Sequence, residues 1–118
     1  MSVNVSFFGN MPDGKEVRLF TIKNSNGIIL QVITLGATLQ ALYTPDKYGR
    51  VNDITVGFDS LYGHLNFTDY QGKVVGRYAN RIANGSFMMK GKKVQLTQNE
   101  KGKTCLHSAG GPISLQTS

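Results

Sequence analysis

The segment Gly76-Arg77-Tyr78-Ala79-Asn80-Arg81-Ile82-Ala83-Asn84-Gly85 sets two arginines and two asparagines among small and apolar residues. An arginine offers N–H donors in a fixed fork, and an asparagine offers both a donor and an acceptor. That inventory suits the ring and hydroxyl oxygens of a polyol. A surface strand with a solvated charged face accounts for the same residues equally well. Any buried arginine here would need pairing or hydrogen bonding. The glycine spacing is not a dinucleotide fingerprint, and no complete Walker-type Gly-x-x-x-x-Gly-Lys-Ser/Thr phosphate loop is present.

The two histidines are His64 and His107. His64 lies in Leu61-Tyr62-Gly63-His64-Leu65 with no neighbour that implies a role, and reads as a packing or solvated residue. His107 precedes Ser108-Ala109-Gly110-Gly111, where glycine lets backbone approach a ligand closely. On spacing alone a structural role for it stands ahead of a binding one. One cysteine and two distant histidines make no zinc-type set, so no metal site is expected. A Cys105/His107 nucleophile pair lacks an orienting third group, and Cys105 reads as a small buried apolar residue. Lys90, Lys92, Lys93, Lys101 and Lys103 could hold phosphates, but no aromatics that would stack bases are interleaved with them. They read as a solvated hairpin. The sequons at Asn4, Asn66 and Asn84 read as chance, because no secretory signal is evident.

The elements that must position these residues are strands. Residues 16–23 are rich in Val, Leu, Phe, Thr and Ile, and Asn24-Ser25-Asn26-Gly27 follows as a turn. Residues 28–44 read as one long strand. Within it Ile33, Leu35, Ala37, Leu39 and Ala41 alternate with polar or small residues, and Gly36 marks a bulge or close approach. Residues 45–50 form a turn, 51–58 a strand, and 59–72 a loop with one short helical turn. Residues 73–78 are expected to be extended. A hairpin is expected over 86–97, turning at Lys90-Gly91. No repeat and no long amphipathic helix is present, so the class expected is an antiparallel β-sandwich or barrel.

Composition narrows the functions further. The chain has 118 residues, 40% of them hydrophobic, and a length of this order supports one domain and one core. It lacks the roughly 20-residue apolar run of a membrane helix. The single cysteine fits a reducing compartment, and the cytosol is expected. Charge is uneven: residues 1–69 hold five basic and six acidic side chains, and residues 70–118 hold eight basic ones and Glu100. Such a basic half fits either a polyanion-binding surface or a protein whose acidic counterpart lies elsewhere.

Five collinear pieces, spread over residues 16–111, resemble the aldose 1-epimerase (mutarotase) family. They are Gly36-Ala37-Thr38-Leu39, then Asp53 to Asp59 with Leu61 to Leu65, then Gly76 to Gly85, then Phe87 to Leu96, and last Asn99 with Leu106-His107. The resemblance implies a large β-sandwich (supersandwich) that interconverts the α and β anomers of aldoses such as glucose and galactose, with no cofactor. It implies acid–base chemistry: a carboxylate takes the anomeric proton while an imidazolium protonates the ring oxygen. Carried over position by position, Asn80 and Arg81 look like sugar-contacting residues, and His107 looks like the histidine that binds and orients the sugar. The family's proton-donor histidine and base glutamate lie further on, so no catalytic residue is expected within residues 1–118. Glu16 and Glu100 match no catalytic position.

The family usually reads Leu-His-Gly-Gly. Here Ser108-Ala109 intervene before Gly110-Gly111, and residues 112–118 diverge. The expectation is therefore an incomplete N-terminal part of a sandwich, such as a truncated, spliced or frameshifted product, inactive or weakly active alone. It would bind a small aldose, engage neither nucleic acid nor membrane, and self-associate through unpaired strand edges. A non-catalytic carbohydrate-binding module is the alternative, and a basic nucleic-acid-binding barrel a third.

Overall fold

In the computed structural model, residues 1–66, 70–76 and 78–107 are described. Arg77 and the divergent tail, residues 112–118, lie outside them. The chain divides into two compact units, one on Met1–Val74 and one on Val75–Gln116. Among the described residues the architecture is all-β and antiparallel, with one six-residue α-helix. No helix among the described residues is long and apolar enough to cross a membrane.

The first unit is a five-stranded meander, β1 (Ser2–Asn10), β2 (Glu16–Lys23), β3 (Ile29–Ile33), β4 (Thr38–Pro45) and β5 (Val51–Asp53), in sequence order. Its turns are built by short polar side chains. Asn24 Oδ1 accepts from the amides of Asn26 and Ile28, and Gly27 takes a φ of 84°. Asp46 Oδ1 accepts from the amides of Tyr48 and Arg50 in the same way.

The long strand expected over residues 28–44 is in fact two. The chain reverses at Thr34-Leu35-Gly36-Ala37, and β3 pairs back on β4. Gly36 and Ala37 both adopt positive φ, 61° and 49°, and Thr38 closes the reversal through Oγ1 to Leu35 O at 2.6 Å. The apolar alternation runs straight through the turn, because Leu35 is buried as a turn residue while Ala37 is exposed. The strand expected over 51–58 stops at Asp53. Its carboxylate takes the Thr55 amide and hydroxyl, ending the ladder in a local turn. Residues 73–76 join no strand.

One face of the sheet carries the core. Val17, Ile33 and Leu35 are fully buried with Leu61, and Phe8, Met11, Leu19 and Leu65 pack around them. The helix α1 (Leu61–Asn66) delivers Leu61 and Leu65 from one side, four residues apart. It sits directly on β1: a Cβ on Gly9 would lie 2.9 Å from Leu61 Cδ2, and the β1–β2 register shifts there.

His64 is also buried here, with 2% of its surface exposed, between the rings of Phe8 and Phe58. Gln40 Nε2 donates to Phe58 O, so Gln40 Oε1 must receive the proton of His64 Nε2, 2.6 Å away. Nδ1 is then an acceptor, with no partner among the described residues. Burial pushes the His64 pKa down, and the positive charge of Lys73 adds to that. The unfolded chain therefore binds a proton that the folded one refuses. Stability is expected to fall as pH drops through the unfolded value near ~6.5, levelling off only below the depressed folded value. Melting scans across that range check this, with His64→Gln losing this part of the dependence. An unchanged pH profile in His64→Gln would contradict it.

The second unit contains β6 (Arg81–Ile82), a 3₁₀ turn at Ala83–Gly85, the hairpin β7 (Ser86–Met89) and β8 (Lys92–Gln95), and β9 (Cys105–Leu106). The hairpin turns at Lys90-Gly91 as expected, though β8 ends at Gln95 rather than Thr97. Cys105 is a buried free thiol.

Candidate functional site

The β6–β9 pair builds the site. Arg81 lies opposite Leu106 and Ile82 opposite Cys105, so residues far apart in sequence become neighbours. Asn80 and His107 flank this short ladder, both in the left-handed backbone region, with φ of 66° and 55°. Asparagine and histidine are among the non-glycine residues that adopt it most readily. Here hydrogen bonds hold it. The Asn80 amide donates to His107 Nδ1 at 3.0 Å, and the His107 amide donates to Asn80 O at 2.9 Å. An Nδ1 that accepts leaves the proton of the neutral ring on Nε2, so this histidine presents a donor.

Arg81 joins the same cluster. Its Nη1 donates to Asn80 Oδ1 at 3.2 Å, which orients the Asn80 amide with Nδ2 as donor. Its Nε lies 2.8 Å and 3.0 Å from the two oxygens of Glu100. The hydrogen bond from Arg81 holds the Glu100 carboxyl below the usual carboxylate range, with the charges of Arg81 and Lys101 adding to it. The Arg81 pKa moves up in turn. The pair is exposed, so its worth is orientation more than stability.

Asn99 braces the other side. Its Nδ2 donates to Leu106 O at 2.9 Å and its Oδ1 accepts from the Leu106 amide at 2.6 Å, which is how a neighbouring strand would bond. That fixes the residue before His107. The structure thus brings together the three residues that the sequence nominates, Asn80, Arg81 and His107. It adds Glu100, and a role for Asn99, through contacts 19 and 7 residues away in sequence.

An open apolar depression of about 210 Å³ is lined by Tyr78, Ile82 and Phe87, with the Tyr78 and Phe87 rings edge to face. Successive strand residues point to opposite faces, so Ile82 turns away from Arg81 and the depression is separate from the polar cluster. Among the described residues no group of three metal-ligating side chains occurs.

Residues 18–111 match the family model described as aldose 1-epimerase. The chain belongs to that family. It is 41% identical over 108 residues to the galactose mutarotase of Bos taurus, covering 91% of this chain and 31% of that protein. It is 36% identical over 101 residues to the aldose 1-epimerase of Escherichia coli K12, covering 86% of this chain and 28% of that protein. The crystal structure of an aldose epimerase homologue from C. elegans aligns over 97% of this chain and 31% of its own, with a TM-score of 0.78 at 29% identity. The galactose 1-epimerase of Lactobacillus acidophilus has the same fold, with a TM-score of 0.75 at 22% identity. This aldose 1-epimerase family chain thus spans about three tenths of the length of the curated relatives it matches.

Proposed function

We propose that this chain carries the aldose-recognising part of an epimerase that interconverts α and β anomers of sugars such as galactose and glucose. The observation that supports it best is the reciprocal Asn80–His107 pairing with Arg81 pinned beside it. Three side chains able to bond sugar hydroxyls are thereby fixed at one end of a short ladder. Mutarotation needs a base for the anomeric proton and an acid for the ring oxygen. Glu100 is the carboxylate of this cluster, and Arg81 makes it a weak base by stabilising its ionised form. His107 has Nδ1 committed to a backbone amide. The cluster is thus suited to holding a sugar, and the acid–base pair comes from polypeptide outside residues 1–118. Proton transfer alone opens and closes the ring, so the reading calls on no cofactor. We place the protein in the cytosol, with a free aldose as its ligand.

Titration with galactose tests the binding half, followed by amide chemical shifts. Saturable shifts at Asn80 and His107 are expected. A folded chain whose spectrum stays unchanged at high sugar concentration would rule the reading out.

A further inference from the structure

The two edges of the five-stranded sheet are built differently. The β5 edge is three residues long, and it is bracketed by the Asp46–Arg50 ion pair and the Asp53 carboxylate. Short, charged edges resist pairing with another strand. The β1 edge has none of these protections. It is nine residues long, it contains no proline, and no charged side chain occurs before Asp13. Only the register shift between Phe7 and Gly9 interrupts it, which leaves Ser2–Phe7 regular.

That edge also borders an apolar face. Directly opposite residues share a face, so the pairings define two rows across the sheet. One row is Val3, Ile22, Leu30 and Leu42, and the other is Val5, Phe20, Val32 and Leu39. The rows end at β1 on Val3 and Val5, with Phe7 beside them, exposed by 55%, 52% and 62%.

We propose that β1 is a self-pairing edge, and that two copies of this chain join antiparallel through it about a two-fold axis at Val5. The sequence is self-complementary in that register. Val5 faces Val5, Val3 faces Phe7, and Asn4 faces Ser6, so apolar meets apolar and polar meets polar. Both apolar rows then run on into the second sheet. The absence of charge on β1 selects this occupant. The chain as a whole carries a net charge of +6, yet β1 holds no charged side chain and this register sets the two Met1 ammoniums at opposite ends of the pairing, so two copies meet here without repulsion, and an acidic partner would find no charged side chain on β1 to bind. A two-fold pairing closes on itself and stops at a dimer.

Sedimentation of the full chain over a range of concentrations tests this. A reversible monomer–dimer equilibrium is expected, and Val5→Lys, which sets two like charges face to face, is expected to raise its midpoint by at least about tenfold. Circular dichroism shows whether that variant stays folded. Register is read separately in a Cys105→Ser background: Val5→Cys is expected to form a disulfide-linked dimer under mild oxidation, and Val3→Cys, placed opposite Phe7, is not. A chain that stays monomeric, a dimer unaffected in folded Val5→Lys, an open series of larger species, or equal cross-linking at both positions would overturn the proposal.

Discussion

Arg81→Ala is expected to weaken galactose binding by at least about tenfold, since charge-assisted bonds from a guanidinium are among the stronger polar contacts a site can offer. The change removes the fork that orients the Asn80 amide, and it frees Glu100 to titrate nearer its ordinary value. Arg81→Lys keeps the charge but not the planar fork, and little recovery is expected from it. The first unit does not include Arg81, so the melting of its core should stay the same. Shift titrations of the three proteins decide the matter. Equal galactose affinity in the wild type and Arg81→Ala would mean that the guanidinium does not meet the sugar.

The largest stability effect is expected from Ile33→Ala. Ile33 is fully buried, lies opposite Leu19 and Thr38, and packs with Val17, Leu35 and Leu61. Truncating a buried isoleucine costs about 2–5 kcal/mol in transfer and cavity terms. A whole domain has only about 5–15 kcal/mol of stability, so the variant should be largely unfolded in mild urea. Val56 is 75% exposed, and Val56→Ala should change stability by less than about 0.5 kcal/mol. Urea midpoints at unchanged slope check both. An Ile33→Ala midpoint close to the wild-type value would place the core elsewhere.

Local chemistry was the legible part of this fold. The turns at Asn24–Gly27 and Asp46–Arg50 are written in side chains that bond their own backbone, and residues 16–23 form β2 with the expected bounds. The break after Ile33 was hidden because a period of two in apolar residues looks the same whether the chain continues or doubles back through a turn with one buried leucine. The β1 strand carries a readable alternation in Val3, Val5 and Phe7, but those side chains face solvent, so the pattern does not mark a core.

The candidate site shows the same division. Asn80, Arg81 and His107 could be nominated by residue type and by family resemblance. What holds them could not, because the β6–β9 ladder closes over an intervening hairpin. The Glu100 that pins Arg81 has no local signature, and the resemblance that placed Asn99 with Leu106-His107 carried no sign that its side chain braces Leu106. Asparagine and histidine adopt positive φ more readily than most residues, but the reciprocal hydrogen bonds that hold Asn80 and His107 there join positions 27 residues apart.

Residues 1–118 are expected to hold a sugar without turning it over. Polarimetry of freshly dissolved α-galactose with the purified chain tests it most directly. A rate equal to buffer is expected at every protein concentration. A rate that rises in proportion to protein and is lost in Arg81→Ala would contradict it, and would place an acid and a base among the residues present here.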